Sequence, residues 1–282
     1  MSEDVRVWVD GRLVAGDEPA LAALDHGITV GDGAFETCKI VGGEVFAADR
    51  HLARLDRTLA GLGLQPADHA RIEEGVKAVL AAGETIAFGR LRYTVTGGAG
   101  PLGSDRLQEG LTYIVAATEV PPPPETVAVA TVPWTRNERA ATAGLKTTSY
   151  ADNVIALAAA KAKGATEAIF GNTRDELCEA TGSNIFVVVD GIVLTPPLES
   201  GPLAGITREL TIEWAREAGL EVREEALPMG VLESADEAFL TGTTRDVHPI
   251  HRIDDRELAA PGPVTERVRA AFARRSVQDM NP

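Results

Sequence analysis

Only five lysines stand among the 27 basic residues of this 282-residue chain: Lys39, Lys77, Lys146, Lys161 and Lys163. Positive charge is otherwise supplied by arginine, so each lysine asks for a reason. Lys161 and Lys163 close a helix-like run before Gly164, where cations suit the negative helix end. Lys77 lies on an amphipathic helical pattern, and Lys39 falls in a strand-like alternation. Lys146, in GLKTTSYADNVIAL, has no such surface duty. A lysine with its ordinary pKa of ~10.4 leaves about one amine in two thousand neutral at pH 7, so use as a nucleophile requires desolvation or neighbouring positive charge. Leu145, Thr147 and Thr148 make a setting that permits this without establishing it.

Three other stretches carry groups of interest. In GPLAGITRELTIEWA (201–215), Gly205 leads into a helix whose first-turn N–H groups and Thr207 hydroxyl suit a phosphate. The plainer reading is a glycine preceding a helix capped by Thr207. In LTGTTRDVHPI (240–250), a strand ends in a Thr-Gly-Thr-Thr turn whose amides and hydroxyls could form a second anion nest, or simply a turn. In ELCEATGSNIF (176–186), alternation puts Leu177 and Glu179 on one face and Cys178 and Ala180 on the other. If Leu177 faces the core, Glu179 needs a buried partner, for which a cationic ring nitrogen or an arginine would serve equally. No metal site is expected, because the five histidines are scattered and His248 and His251 lack a ligand-like carboxylate spacing. Neither a G-x-S-x-G elbow nor a Rossmann loop is present, and GGAGPLGS (97–104) leads into no clear helix.

These residues must be positioned by a chain long enough for one large domain or two α/β domains, with 44% hydrophobic and 24% charged residues. Acidic residues number 42, giving a net charge of −15 and no local basic patch, so neither nucleic acid nor a membrane surface is an expected partner. The start, MSEDVRVWVDG, lacks the regions of a secretory leader, and no apolar run is long enough to cross a bilayer. Cys38 and Cys178 have no metal-ligand spacing and fit reduced thiols in a cytoplasmic protein.

Asp10-Gly11 and Gly42-Gly43 each join two strand-like runs as hairpins. DRHLARLDRTLAGLG predicts a helix with Asp49 as N-cap, a Leu52, Leu55 and Leu59 stripe, and a stop at Gly61 or Gly63. A second helix is expected over 67–81, then strands over 88–96 and 111–118. Four consecutive prolines make 119–125 a stiff connector and the domain boundary. Beyond it the pattern predicts a strand at 126–132 and a helix at 150–163. Strands follow near 167–171, 176–180, 184–189 and 192–195, then a helix at 207–218, strands near 221–226 and 238–241, and a last helix over 265–276. Clustered strands between isolated helices argue for α+β (mixed α/β) sheets.

In chain order GDGAFE, HLARL, LK before a helix, E-x-x-x-SNIF, GITR and TGTT resemble the class IV, or fold-type IV, pyridoxal-phosphate aminotransferases. That group includes branched-chain and D-amino-acid aminotransferases and aminodeoxychorismate lyases. The resemblance runs from about residue 5 to 255; each motif is short, and six in order are specific. It implies a two-domain fold, with a small N-terminal domain (1–118), the connector (119–125) and a larger C-terminal cofactor domain (126–282), and with the active site between them. It also implies pyridoxal 5′-phosphate as cofactor and a homodimer. By the same resemblance Lys146 holds the cofactor covalently and moves the substrate proton, and Glu179 keeps the pyridine nitrogen protonated. Arg54 takes the phosphate with Ile206, Thr207 and Thr243. Leu203 packs under the ring, and Tyr150 reaches its phenolic oxygen.

Substrate signals are mixed. GDGAFETCKI looks more like the D-amino-acid and lyase branches than the branched-chain one, where Phe-Glu-Gly-x-Arg is expected. Yet the Arg-x-His carboxylate trap of D-amino-acid enzymes is missing from GGAGPLGSDR. In GRLRYTV, Arg90, Arg92 and Thr94 share one face, and by the resemblance the position matching Arg92 faces the active site, so Arg92 first and Arg90 second are candidates for a substrate carboxylate. The alternative is two solvated strand arginines. Phe35, Thr243 and Thr244 complete the expected substrate contacts. The expected activity is transfer of an amino group, by a ping-pong mechanism, from a D-amino acid or a broader range of amine donors to a 2-oxo acid. Aminodeoxychorismate lyase, branched-chain L-amino-acid aminotransferase and a non-catalytic cofactor-binding protein are the alternatives.

Overall fold

The computed structural model describes residues 5–107 and 110–282, so the first four residues of the leader reading lie outside it. The chain divides into two compact units. The first comprises Met1–Pro122, Leu145–Ser149 and Met280–Pro282, and the second Pro123–Gly144 and Tyr150–Asp279. The segment bearing Lys146 therefore groups with the first unit, although it follows the connector in sequence.

The first unit contains β1 (Arg6–Val9), β2 (Arg12–Val14), α1 (His26–Thr29), β3 (Gly33–Val41), β4 (Glu44–Val45), α2 (Ala48–Leu62), α3 (His69–Ala81), β5 (Phe88–Thr96) and β6 (Thr112–Glu119). Its strands form an antiparallel sheet in the order β2-β1-β6-β5-β3-β4. Both hairpins turn where expected, with Asp10, Gly11, Gly42 and Gly43 all at positive φ. Leu55 and Leu59 of α2 and Ile72 and Val79 of α3 pack with Trp8, Cys38, Ile40, Leu91 and Val115. Each buried side chain of this size contributes about 1.5–3 kcal/mol, so packing more than helix propensity holds α2 in place. Alternation along β5 buries Leu91, Tyr93 and Val95 and leaves Arg90 and Arg92 exposed on the opposite face.

The start of α2 differs from the expectation. Asp49 lies inside the first turn, and the N-cap is Ala47 at φ 54° with no side-chain cap. Distant residues supply the missing acceptors: the Ala47 N–H donates to the Met280 carbonyl and the Asp49 N–H to Asn281 Oδ1. Asp49 instead complements the helix dipole. The helix stops at Gly63, which is left-handed at φ 68°.

The second unit contains β7 (Val127–Arg136), α4 (Ala151–Ala162), β8 (Glu167–Asn172), β9 (Leu177–Ala180), β10 (Asn184–Val189), β11 (Ile192–Thr195), α5 (Ile206–Glu217), β12 (Val222–Glu224), α6 (Val231–Ser234), β13 (Glu237–Gly242), β14 (Asp246–Ile253), β15 (Arg256–Glu257) and α7 (Pro263–Ser276). The sheet order is β12-β11-β10-β13-β14-β7-β8-β9, with β15 on β14, and it mixes parallel and antiparallel pairs. The mixed α/β class is as expected. β14 lies where no strand was expected, and it carries Pro249, a residue that ordinarily disfavours a central strand. Pro249 pairs with Phe239 and precedes Ile250, where pairing with β7 begins, so its missing donor faces no β7 partner.

β9 also departs from plain alternation. Its register with β8 runs Phe170↔Glu179 and then Gly171↔Leu177, a bulge that skips Cys178. Leu177 and Ala180 consequently enter one apolar cluster, and Glu179 stands beside Phe170. Leu177 and Glu179 thus do not share a face.

Candidate active site

Residues 146–148 run beside the start of β3. The Phe35 N–H donates to the Lys146 carbonyl at 3.0 Å, and the Thr148 N–H to the Gly33 carbonyl at 2.8 Å. The Thr148 and Ser149 hydroxyls both donate to the Gly31 carbonyl. Gly31 needs its lack of a side chain, since it sits at φ +70° and a Cβ would meet Ser149 Oγ at 2.6 Å. This lattice fixes the backbone from which Lys146 projects. Its Nζ lies 4.4 Å from the centroid of the buried Phe35 ring, and the Arg92 guanidinium carbon lies 3.7 Å from the same centroid. Arg92 Nε also donates to Thr94 Oγ1 at 3.3 Å. Arg90 is exposed on the same strand face.

Arg54, on α2, is buried and donates from Nε and Nη2 to the two oxygens of Glu36 at 2.8 and 2.6 Å. His51, one helical turn earlier, places Nδ1 2.6 Å from the same carboxylate. Burial pushes the Glu36 pKa up, but the Arg54 charge and hydrogen bonds, with help from His51, overcome it and hold the group at about 2. Burial lowers the His51 pKa against the opposing pull of Glu36. A depressed carboxylate pKa gives stability that is complete above the unfolded value, near 4.5, and is lost as pH falls through the folded one. We expect about 3 kcal/mol to disappear between roughly pH 4.5 and 2. Denaturant midpoints across that range should show this slope and flatten in Glu36→Gln, with a smaller remainder from Glu176, which Arg174 and Asn172 also hold at about 2; an unchanged slope would remove Glu36 as its main source.

In the second unit, Glu179 Oε1 lies 3.3 Å from Arg136 Nε, and Oε2 accepts the Leu203 N–H at 3.0 Å. Arg136 stacks over Phe170 at 4.1 Å. The arginine alternative for Glu179 is therefore realised, with the carboxylate still partly open at 15% side-chain exposure. Asn184 of SNIF donates to the Leu203 carbonyl at 2.8 Å. A Cβ on Gly205 would collide with Asn184 Oδ1, so a larger residue fits there only if Asn184 gives up its position. Gly205 is the N-cap of α5 and has no side-chain cap bond; Thr207 lies inside the first turn and does not cap it. Ile206 and Thr207 thus begin a helix whose N-terminus presents amides and the positive dipole end.

Gly242 ends β13 and pairs with Asp246, and Thr243, Thr244 and Arg245 form the turn into β14. Arg245, next in line, donates to Glu167 Oε1 at 2.6 Å. Glu167 Oε2 accepts from the Thr181 hydroxyl and the Gly182 N–H, so one buried carboxylate braces the TGS and TGTT turns. Tyr150 is the N-cap residue of α4. Sequence reading passed over Glu36, His51, Arg136, Glu167, Asn184 and Arg245. Four of them lay within stretches already quoted, in GDGAFE, HLARL, SNIF and LTGTTRDVHPI; Arg136 and Glu167 carried no local signal.

Both sheets, with their helices, have the architecture of fold-type IV transaminases. An aminotransferase from Brucella abortus, solved bound to the cofactor pyridoxal phosphate, superposes with a TM-score of 0.87 at 28% identity, covering 97% of this chain and 99% of that one. A putative branched-chain-amino-acid aminotransferase from Methanocaldococcus jannaschii is 32% identical over 95% of each chain. D-alanine aminotransferase from Bacillus licheniformis is 31% identical, covering 95% of this chain and 96% of its own. Residues 33–253 match the family model for amino-transferase class IV. This chain belongs to that family, whose members depend on pyridoxal 5′-phosphate.

Proposed function

We propose that the chain moves an amino group from a D-amino acid to a 2-oxo acid with pyridoxal 5′-phosphate, accepting a broad range of donors. When bound, the cofactor supplies the electron sink that makes loss of the Cα proton feasible. The donor set fits it: one amine, one partly open carboxylate, one buried arginine and one helix N-terminus without a side-chain cap. Lys146 anchors it covalently and carries the proton. Glu179 meets the ring nitrogen, Leu203 supports the ring and Tyr150 hydrogen-bonds its phenolic oxygen. Arg54, the Ile206 and Thr207 amides and Thr243 take the phosphate.

The observation that carries the substrate reading is the pair of cations on Phe35. An amine and an arginine that share one aromatic ring support a reading in which Arg92 binds the carboxylate of a substrate reacting at Lys146. Arg92 is the first carboxylate ligand, with Arg90, Thr243 and Thr244 as further contacts. The D-preference is supported by GDGAFETCKI and by the Bacillus licheniformis relative. The Methanocaldococcus relative favours the second reading, a branched-chain L-amino-acid aminotransferase.

Single D- and L-amino acids, followed spectroscopically to the aminated cofactor, decide between them. D-alanine and D-glutamate should convert; conversion by L-amino acids alone overturns the first reading. Pyruvate and 4-aminobenzoate released from aminodeoxychorismate without a keto acceptor would establish lyase chemistry instead. We also infer a cytoplasmic homodimer. The supporting features are free Cys38 and Cys178 and the exposed Val154 and Ile155 on α4. No helix among the described residues is long and apolar enough to cross a membrane.

A further inference from the structure

Arg54 is assigned to the phosphate, yet two of its nitrogens hold a carboxylate of this same chain. Glu36 has no exposed surface, and its neighbours along the inner face of β3 are Ala34, Cys38 and Ile40. Leu55 and Leu59, on the same helix as Arg54, belong to that apolar cluster. An ion pair in such a place is no requirement of the fold. Apolar side chains of similar volume commonly stabilise a core as well or better, because neither charge must then be stripped of water. What an apolar pair cannot do is fix the plane of a guanidinium.

The geometry suits that task. Both Glu36 oxygens are engaged by Arg54, so the fork has one orientation, and His51 at 2.6 Å blocks rotation of the carboxylate. Free arginine side chains carry about 2 kcal/mol of rotamer entropy, and a side chain already fixed does not lose it when an anion binds. The low Glu36 pKa keeps the brace charged throughout the physiological range.

We infer that Glu36, steadied by His51, is a positioning residue that orients Arg54 toward the cofactor phosphate. It thereby sets the preference for the phosphorylated cofactor over free pyridoxal. The inference rests on the reading of Arg54 as a phosphate ligand.

The test titrates apo-protein with pyridoxal 5′-phosphate and with pyridoxal, following absorbance. Glu36→Gln should weaken pyridoxal phosphate binding roughly tenfold to hundredfold, the usual range for losing a supporting contact, and leave pyridoxal within about twofold. In an Arg54→Ala background the same change should add nothing, as expected for residues acting through one another. Equal weakening of both ligands would mean a structural role only and overturn the inference, as would unchanged pyridoxal phosphate binding. Glu36→Asp keeps the charge but shortens the reach. It should give a smaller loss confined to pyridoxal phosphate, and it provides the test if the glutamine variant does not fold. Arg54→Ala with an intact preference for the phosphorylated ligand would sink the underlying assignment. Loss of preference in Arg54→Ala but not in either Glu36 variant would sink the role of Glu36 alone.

Discussion

Lys146→Ala should lower turnover by at least about 10⁴-fold, because in the proposed reading one side chain supplies both the covalent anchor and the moving proton. The wild-type protein treated with pyridoxal phosphate and borohydride should carry the reduced cofactor on the peptide containing residues 145–149; the variant should carry none. Folding should survive. The segment is held by backbone bonds from Phe35 and Thr148 and by the hydroxyls of Thr148 and Ser149, none of which uses the lysine side chain. A label found on another lysine, with activity retained in Lys146→Ala, would overturn the assignment. Lys39 is the informative control. It is 4% exposed and stacks over Phe46 at 4.6 Å, so it is a second sheltered amine without the Phe35 setting.

Glu179→Gln should reduce kcat about 10²–10³-fold, the range for removing one preorganised electrostatic partner, with little change in melting temperature. Glutamine keeps an oxygen for the Leu203 N–H, and what disappears is the anion. The ion pair with Arg136 offers a competing explanation, which Arg136→Gln isolates. That variant should lose far less activity. If the two substitutions cost the same, Glu179 works through Arg136 and not through the ring nitrogen. The pH profile adds a second readout, since loss of the anion should change the ionisation seen in kcat and loss of a brace should not.

Much of this was legible locally. The hairpins at Asp10-Gly11 and Gly42-Gly43, the α2 stripe and the alternation of Arg90 and Arg92 depend on period and turn chemistry, which neighbours in sequence carry. The proposed grouping of Lys146, Glu179, GITR and TGTT rests on another kind of signal: reactive groups without a local purpose suggest a shared ligand. What escaped depended on distant partners. The acceptors at the α2 N-terminus come from residues 280 and 281. The bulge in β9 is visible only against β8, and β14 tolerates Pro249 only because of where β7 begins. Glu36 was plainly a carboxylate in a strand, but its partners lie 15 and 18 residues away on a helix.

The loop before α5 has one further consequence. Glu179 grips the amide of Leu203, Asn184 grips its carbonyl, and Asn184 also occupies the space that a side chain at Gly205 would need. Three positions spread over 26 residues are therefore coupled through one short loop, and a substitution at one changes what the others must do. Replacing Asn184 by a smaller residue would open space at 205, while a change at 179 that removes the side-chain oxygen would release the Leu203 amide.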